Sequence, residues 1–412
     1  MACLQADPNQ TDRLSILPDE LLITVLSFLP TRMAARTSVL CRRFRHLWEA
    51  SPSVQLVGIY NSHKFIAMAD RVLLHRNPSH ALLTLQLELS YLRSSLPDSY
   101  VPSLLAQAHS LRLRHLTVQA PSNRLVSILP SIFSIDSLWS LSLQLSSYPL
   151  IKPYHIFPSG FTLTCLKSLS LQLYGVDSAV QLNQLLSQLC SLEDLQLETN
   201  AIDKLSLSSR TIRTLKLIIG SDAIQDIVEL FLPSLESFHF QHENSEFLSG
   251  MCRIHGQVPL LKNAVIRLYN LHAEDVGAVM KLLSFISHVE QLTLRLKESV
   301  DEKYPIPILL EPGKDVPNFP NLKHLIVGLC FHVHNFQAVI MMLHNGTALE
   351  SLKLVHEIPK FTGLAKGRNR KDWGSRLPRN ADGNYRYAYF RNLHLGEHKK
   401  EFMKLLGMKC SS

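Results

Sequence analysis

The pattern Leu-x-x-Leu-x-Leu, with other apolar residues standing in at its fixed positions, recurs along the chain and limits its fold more than any other feature. It reads LLTLQL at 82–87, LRHLTV at 113–118, LWSLSL at 138–143, LKSLSL at 166–171 and LEDLQL at 192–197. It continues as IDKLSL at 202–207, IRTLKL at 212–217, LESFHF at 235–240, VEQLTL at 289–294, LKHLIV at 322–327 and LESLKL at 349–354. LKNAVI at 261–266 and FRNLHL at 390–395 are weaker copies. The closing residues of each copy alternate apolar and polar, which is the period of a strand with one buried face. Several intervening segments have the helical period instead: 178–189, 275–288 and 335–346 place apolar residues at i, i+3, i+4 and i+7.

Copies begin mostly 23 to 33 residues apart. A strand and a short helix repeated at that interval predict an α/β solenoid of the leucine-rich-repeat kind, in which no unit buries its leucine face alone and neighbours must stack. Asn200 and Cys330 fall where such repeats favour Asn or Cys, while other copies differ there, so any ladder of buried polar side chains is interrupted. The starts at 192, 202 and 212 are too close for strand-helix units, and one of the three is expected on another face. The competing architecture, a doubly wound α/β sheet, needs longer helices and a Gly-rich first loop, and neither is evident.

Ahead of the repeats lies a different kind of segment. In LPDELLITVLSFLP (17–30), Leu21, Leu22, Val25, Leu26, Phe28 and Leu29 cover more than half of a helix surface. Pro18 suits the first helical turn, Asp19 and Glu20 favour its positive end, and Pro30 stops it. Thr31 offers an N-cap for the next stretch, in which Val39, Leu40, Phe44, Leu47 and Trp48 form an apolar stripe interleaved with Arg42, Arg43 and Arg45. No acid occurs from Leu21 through Trp48. Helices this short bury too little alone. They either cap the open end of the repeat array, or dock a partner whose acidic surface the arginines attract.

Residues 13–52, RLSILPDELLITVLSFLPTRMAARTSVLCRRFRHLWEASP, closely resemble the F-box motif. The wording LPDELL, VLSFLPTR, RTSVL and RHLW is similar to the plant F-box/leucine-rich-repeat, FBD-like family, and KFIAMADRVLLHR (64–76) is similar to that family's linker. The resemblance implies residues 1–10 as a flexible N-terminus, 11–53 as F-box, 54–80 as a linker helix and 81–412 as an irregular leucine-rich-repeat array. It further implies docking of a Skp-type adaptor, and through it a cullin and a ubiquitin-conjugating enzyme. The matched positions are Leu17, Pro18, Leu21, Leu22, Val25, Leu26, Leu29, Pro30, Val39, Leu40, Phe44 and Trp48, some as core and others as adaptor contacts. Charging Leu22 or Leu26 is the change expected to abolish docking. Phe44 stands where close relatives often carry Trp.

Chemistry of the chain's own is hard to find. Glycine is scarce, at 16 in 412 residues, and no phosphate-cradling loop, GxSxG, HExxH or CxxC occurs. His242-Glu243 lacks the second histidine of a zinc helix and reads as a solvated turn. Cys330, His332 and His334 could line one face of an extended segment, but Cys330 already has a place in the repeat. The seven cysteines are scattered and odd in number, which suits reduced thiols. The net charge of +8 is too dilute over this length for a nucleic-acid binder. The most basic stretch, 359–380, carries Lys360, Lys366, Arg368, Arg370, Lys371, Arg376 and Arg379 against Asp372 alone and reads as a loop. The N-terminus lacks the layout of a secretory signal and LLITVLSFL is too short to span a bilayer, so a cytoplasmic or nuclear protein is expected.

These readings converge on a non-catalytic receptor: no cofactor, no metal, no membrane, an adaptor at the N-terminal helices and an unidentified protein substrate on the strand-lined face. The alternative is a leucine-rich-repeat interaction scaffold that does not engage a ligase.

Overall fold

The computed structural model describes residues 14–356, except 15, 75, 77–78, 93–95, 146–156, 158–159, 161–162, 174–178, 200–203, 221–226, 243–252, 272–275, 299–316, 330–345 and 347, together with 393–394. The chain divides into two compact units, Met1–Gly175 with Gln188–Glu193, and Val176–Ser187 with Asp194–Ser412.

The first unit opens with three short helices, α1 (Asp19–Ser27), α2 (Thr31–Arg36) and α3 (Phe44–Leu47). Tight 3-10 turns extend α2 over Thr37–Val39 and α3 over Trp48–Ala50. Pro18 and Pro30 stand immediately before α1 and α2, and neither helix has a side-chain cap. Thr31, expected as an N-cap, is instead the first residue of α2, and its buried hydroxyl accepts the Gln55 N–H at 2.6 Å. A tertiary hydrogen bond thus takes the oxygen that local geometry would have used.

Within 54–80, expected as a linker helix, the first residues belong to strand β1 (Ser53–Leu56). The helix proper, α4 (Ser62–Ala69), starts where Asn61 accepts the Lys64 N–H at 3.0 Å, and a π-helical turn, Asp70–Leu74, continues it. Then come β2 (Thr84–Glu88), α5 (Tyr100–Ser110), β3 (His115–Ala120), α6 (Ser122–Phe133), β4 (Ser140–Leu145) and β5 (Ser168–Leu173). Strands β1 to β5 pair in parallel and in chain order. Their register aligns Val54, Leu85, Leu116, Leu141 and Leu169 in one buried row, and Leu56, Leu87, Val118, Leu143 and Leu171 in the next. Helix α5 buries Val101, Leu104, Leu105 and Ala108, the i, i+3, i+4, i+7 set, and packs against α6 and the Asp70–Leu74 turn.

In the second unit β6 (Asp194–Thr199), β8 (Thr214–Ile219), β10 (Ser237–His242), β12 (Asn263–Leu271), β13 (Gln291–Glu298), β14 (His324–Leu329) and β15 (Ser351–His356) are successive parallel neighbours. A short strand β16 (Leu393–His394) closes the edge antiparallel, and it is the described part of the last weak copy. Helices α7 (Ala179–Gln188) and α8 (Val276–Phe285) fall on two of the expected helical segments. Leu195, Leu215, Phe238, Ala264, Leu292, Leu325 and Leu352 form one continuous buried row. The period-2 pattern fixes this register, because a slip of one residue would turn every leucine to the other face.

The ten-residue spacing at 192, 202 and 212 has a plain solution. β7 (Lys204–Ser208) leaves the main sheet and pairs with β9 (Ile227–Phe231), which pairs with β11 (Arg253–Gln257), while β6 and β8 pair directly. Where β11 meets β9, a Cβ at Gly256 would lie 1.6 Å from the Leu230 carbonyl oxygen, so only glycine fits there.

A second order runs along the strand entrances. Arg213, Glu236, Lys262, Glu290, Lys323 and Glu350 occupy the same place before successive strands and alternate in sign. Each backbone N–H after Arg213 donates to the carbonyl of the previous member, at 2.8 to 3.0 Å. Arg213–Glu236 and Lys323–Glu290 approach to 3.7 and 3.2 Å, and Lys167–Glu193 does the same at 2.8 Å in the first unit. Each exposed pair contributes about 0.2–1 kcal/mol. Their larger effect is on pairing order, since a skipped strand would set like charges side by side.

Residues 1–10, Asn200, Cys330, His332, His334, the 335–345 helical segment and the basic 359–380 stretch lie outside the described residues.

Candidate functional site

The three N-terminal helices sort the matched positions into distinct groups. Leu22 and Leu26 are 1% and 3% exposed, and with Ala34 and the buried Trp48 they form the centre of the helical segment. Trp48 donates its indole N–H to the Arg45 carbonyl at 3.1 Å. Leu17 and Phe44 are half-buried. Leu21, Val25, Leu29, Val39 and Leu40 are exposed, Val39 at 85%, and so are Pro18 and Pro30. The helix period explains the split: Leu22 and Leu26 lie one turn apart on the face toward α2 and α3, and Leu21 and Val25 lie one turn apart beside it. Leu22 and Leu26 are therefore core positions, and a charge there would unfold the helices; it cannot serve as a clean docking variant.

The exposed apolar surface extends past the positions matched to the F-box motif. Ile16 is 72% and Phe28 81% exposed, and Leu14 and Met33 also face outward. Phe28 sits just beyond the last turn of α1. Its signal in the sequence was present, as part of the apolar set on LITVLSFL, but nothing local distinguishes it from a core phenylalanine. Isolated exposed leucines are ordinary; a contiguous stretch of chain that leaves this many large apolar side chains outside is not.

Charge frames this surface. Arg43 donates Nε–H to Asp19 Oδ1 at 2.7 Å and an NH2 hydrogen to the Leu17 carbonyl at 2.5 Å, so it locks α3 to the start of α1. Arg43, expected to steer a partner, is thus engaged within the segment, whereas Arg32, Arg36, Arg42 and Arg45 are exposed.

A residue not singled out from sequence fixes the helices to the strands that follow. Arg76, 5% exposed, donates to the carbonyls of Glu49, Ser51, His80 and Ala81 at 2.8 to 3.1 Å, and to that of Ala50 at 3.3 Å. Burial lowers its pKa to about 10, so it remains charged at neutral pH, held by carbonyl dipoles. Beside it Arg71 donates to Glu49 Oε1 at 2.9 Å and lies 5.3 Å from the Trp48 ring centre. Tyr100 donates to Asp70 Oδ1 at 2.8 Å, and burial together with that carboxylate raises its pKa. These bonds hold the apolar face on a fixed mount.

Elsewhere, His242, expected in a solvated turn, is the last residue of β10 and 3% exposed. It continues the inward alternation of Phe238 and Phe240, aligned between Ile219 and Leu268. Among the described residues no group of three His, Cys, Asp or Glu side chains is placed to hold a metal ion, and no helix is long and apolar enough to cross a membrane.

Comparison with known proteins agrees with this layout. Residues 14–55 match the F-box domain family. The chain is similar to an F-box/FBD/LRR-repeat protein of Arabidopsis thaliana, 30% identical over 225 residues that cover 51% of this chain and 46% of the relative. A putative F-box/FBD/LRR-repeat protein of the same plant is 29% identical over 247 residues, 57% of this chain and 54% of the relative. An FBD-associated F-box protein, also from Arabidopsis thaliana, is 29% identical over 299 residues, 71% of each. The chain thus spans about half the length of the first two relatives. The chain carries an F-box match at residues 14–55 and is similar to plant F-box/FBD/LRR-repeat proteins over half or more of its length.

Proposed function

We propose that this protein is the substrate-recognition subunit of a Skp–cullin–F-box type ubiquitin ligase. The observation that carries the reading is the exposed apolar surface around Phe28 and Val39, on a segment matching the F-box domain. A Skp-type adaptor would cover it, with Pro18, Leu21, Val25, Leu29, Pro30 and Leu40 as contacts and Leu17 and Phe44 at its margin. Leu22, Leu26 and Trp48 would support these contacts from beneath. The strand array would act as a leucine-rich-repeat solenoid whose outward sheet face selects a protein substrate. On this reading the protein has no catalytic group. It speeds transfer by holding a bound protein near the charged ubiquitin-conjugating enzyme, which raises effective concentration. Its place of work would be the cytoplasm or nucleus.

The test is a pull-down of the intact chain with a purified Skp-type adaptor. Binding by the wild type, lost when residues 14–53 are deleted, is expected. No binding by the wild type, under conditions where another F-box protein binds, would contradict the reading.

A further inference from the structure

The sheet of the second unit has a face opposite its leucine rows, and that face concentrates positive charge at one place. Lys216 on β8, His239 on β10, Arg267 on β12 and Arg295 on β13 all point to it, half-buried between neighbouring side chains. Lys216 and His239 are register partners, and so are Arg267 and Arg295. Strands lie about 4.8 Å apart, so the group spans roughly 15 Å across the sheet. Among the described residues of these strands, the acids on this face are Asp194 and Glu198 of β6, the strand beside Lys216 and two strands beyond His239.

Two arginines in direct cross-strand register repel each other, a cost that an anion seated between them would relieve. Nε of Arg267 is buried with no hydrogen-bond acceptor, and Nε2 of His239 is buried with no hydrogen-bond partner. Burial, and then the charges of Arg267 and Lys216, lower the His239 pKa to about 4. The field at the centre of this face is therefore positive, and the buried Arg267 Nε–H there has no acceptor.

We propose that this face binds an acidic, extended segment of a protein, with side-chain carboxylates seated between Arg267 and Arg295 and near Lys216. Guanidinium groups suit this role because their paired N–H donors match a carboxylate's two oxygens. Peptide fits better than nucleic acid: the cationic patch is short, acids bound it at β6, and Phe238 and Phe240 point into the core and cannot stack bases. The inference rests on the substrate-receptor reading above and adds the chemistry of the substrate.

The test uses the full 412-residue chain and fluorescence anisotropy with a labelled peptide of about a dozen residues alternating Glu and Ser. A Gln/Ser peptide of equal length and a single-stranded RNA of similar length serve as competitors. We expect the acidic peptide to bind at least about tenfold tighter than the neutral one, and more weakly as salt rises. Arg267→Gln with Arg295→Gln should weaken it about tenfold or more without lowering Tm, since a repelling pair has been removed. Should that double variant fail to fold, Lys216→Gln alone should weaken binding severalfold. Equal binding of both peptides, unchanged binding by the variants, or tighter binding of the RNA would overturn the proposal. Peptide binding is scored without the adaptor, so its failure alongside an intact adaptor pull-down refutes only this inference. Loss of the pull-down alongside intact peptide binding refutes only the ligase reading.

Discussion

Leucine is used in opposite ways in the helical N-terminal segment and in the strand array. In the array the described Leu-x-x-Leu-x-Leu copies turn their patterned leucines inward, and the in-register rows through Leu85 and Leu215 are buried throughout. In the helices Leu22 and Leu26 go inward while Leu21, Leu29 and Leu40 stay outside beside Phe28 and Val39. A stacked repeat can satisfy every apolar face because its neighbour supplies the cover. Short helices cannot, and the surface they leave exposed is what remains for a partner.

The sharpest way to break that comparison is to cut one apolar side chain from each region. Leu217→Ala in the array should cost about 2–5 kcal/mol, seen as a lower denaturation midpoint, because the stacked rows cannot close around the cavity. Phe28→Ala should change stability by less than about 0.5 kcal/mol. Equal losses would mean that both regions are core. Next in size is Arg76→Met, which strands buried carbonyls between the helices and the first strands. It should cost about 2–4 kcal/mol, read by urea unfolding.

A smaller effect separates the outward faces. Along one outward row the first unit presents Gln55, Gln86, Thr117, Ser142 and Ser170, none of them charged, and beside them the carboxylate of Glu88, whereas the second presents the basic group around His239. With a pKa held near 4 when folded and 6.5 when not, His239 stays neutral in the native chain while the unfolded chain gains a proton. Stability should be full above pH 6.5 and fall by about 1–2 kcal/mol as pH drops toward 4. His239→Gln should remove that part of the slope in pH-dependent thermal melts, and an unchanged slope would contradict the assignment. The smallest effect belongs to the alternating row. Glu290→Lys places a cation between Lys262 and Lys323 and should lower stability by no more than about 1 kcal/mol, relieved by salt.

Much of the array could be read from sequence because period-2 alternation carries its own register. The displaced β7 was legible too, since ten residues cannot hold a strand and a helix. β1, β9 and β11 were not, because Ser53–Leu56, Ile227–Phe231 and Arg253–Gln257 lack the leucine pattern and are specified by what they pair with. Gly256 shows why: its requirement comes from the Leu230 carbonyl, a contact no local rule encodes. At the candidate site the helices and their apolar excess were legible, but the division between Leu22 and Leu21 was not. Adjacent leucines in one helix differ only by which one meets α2 and α3. The Arg76 clamp joins residues 25 to 27 positions apart, and in sequence it is one more arginine in a basic linker. His242 was misread because its polarity suggested solvent, whereas its place in the Phe238, Phe240, His242 alternation put it inside.

The central claim is that the exposed apolar helical face, and not the helices' core, is the docking surface. Calorimetric titration of a Skp-type adaptor into the wild type, Phe28→Asp with Val39→Asp, and Phe231→Asp on an exposed site of the second unit tests it most directly. We predict that the helical double variant loses affinity by about a hundredfold or more while its Tm is unchanged, and that Phe231→Asp binds as the wild type does. Wild-type affinity in the double variant, with its fold intact, would contradict the account.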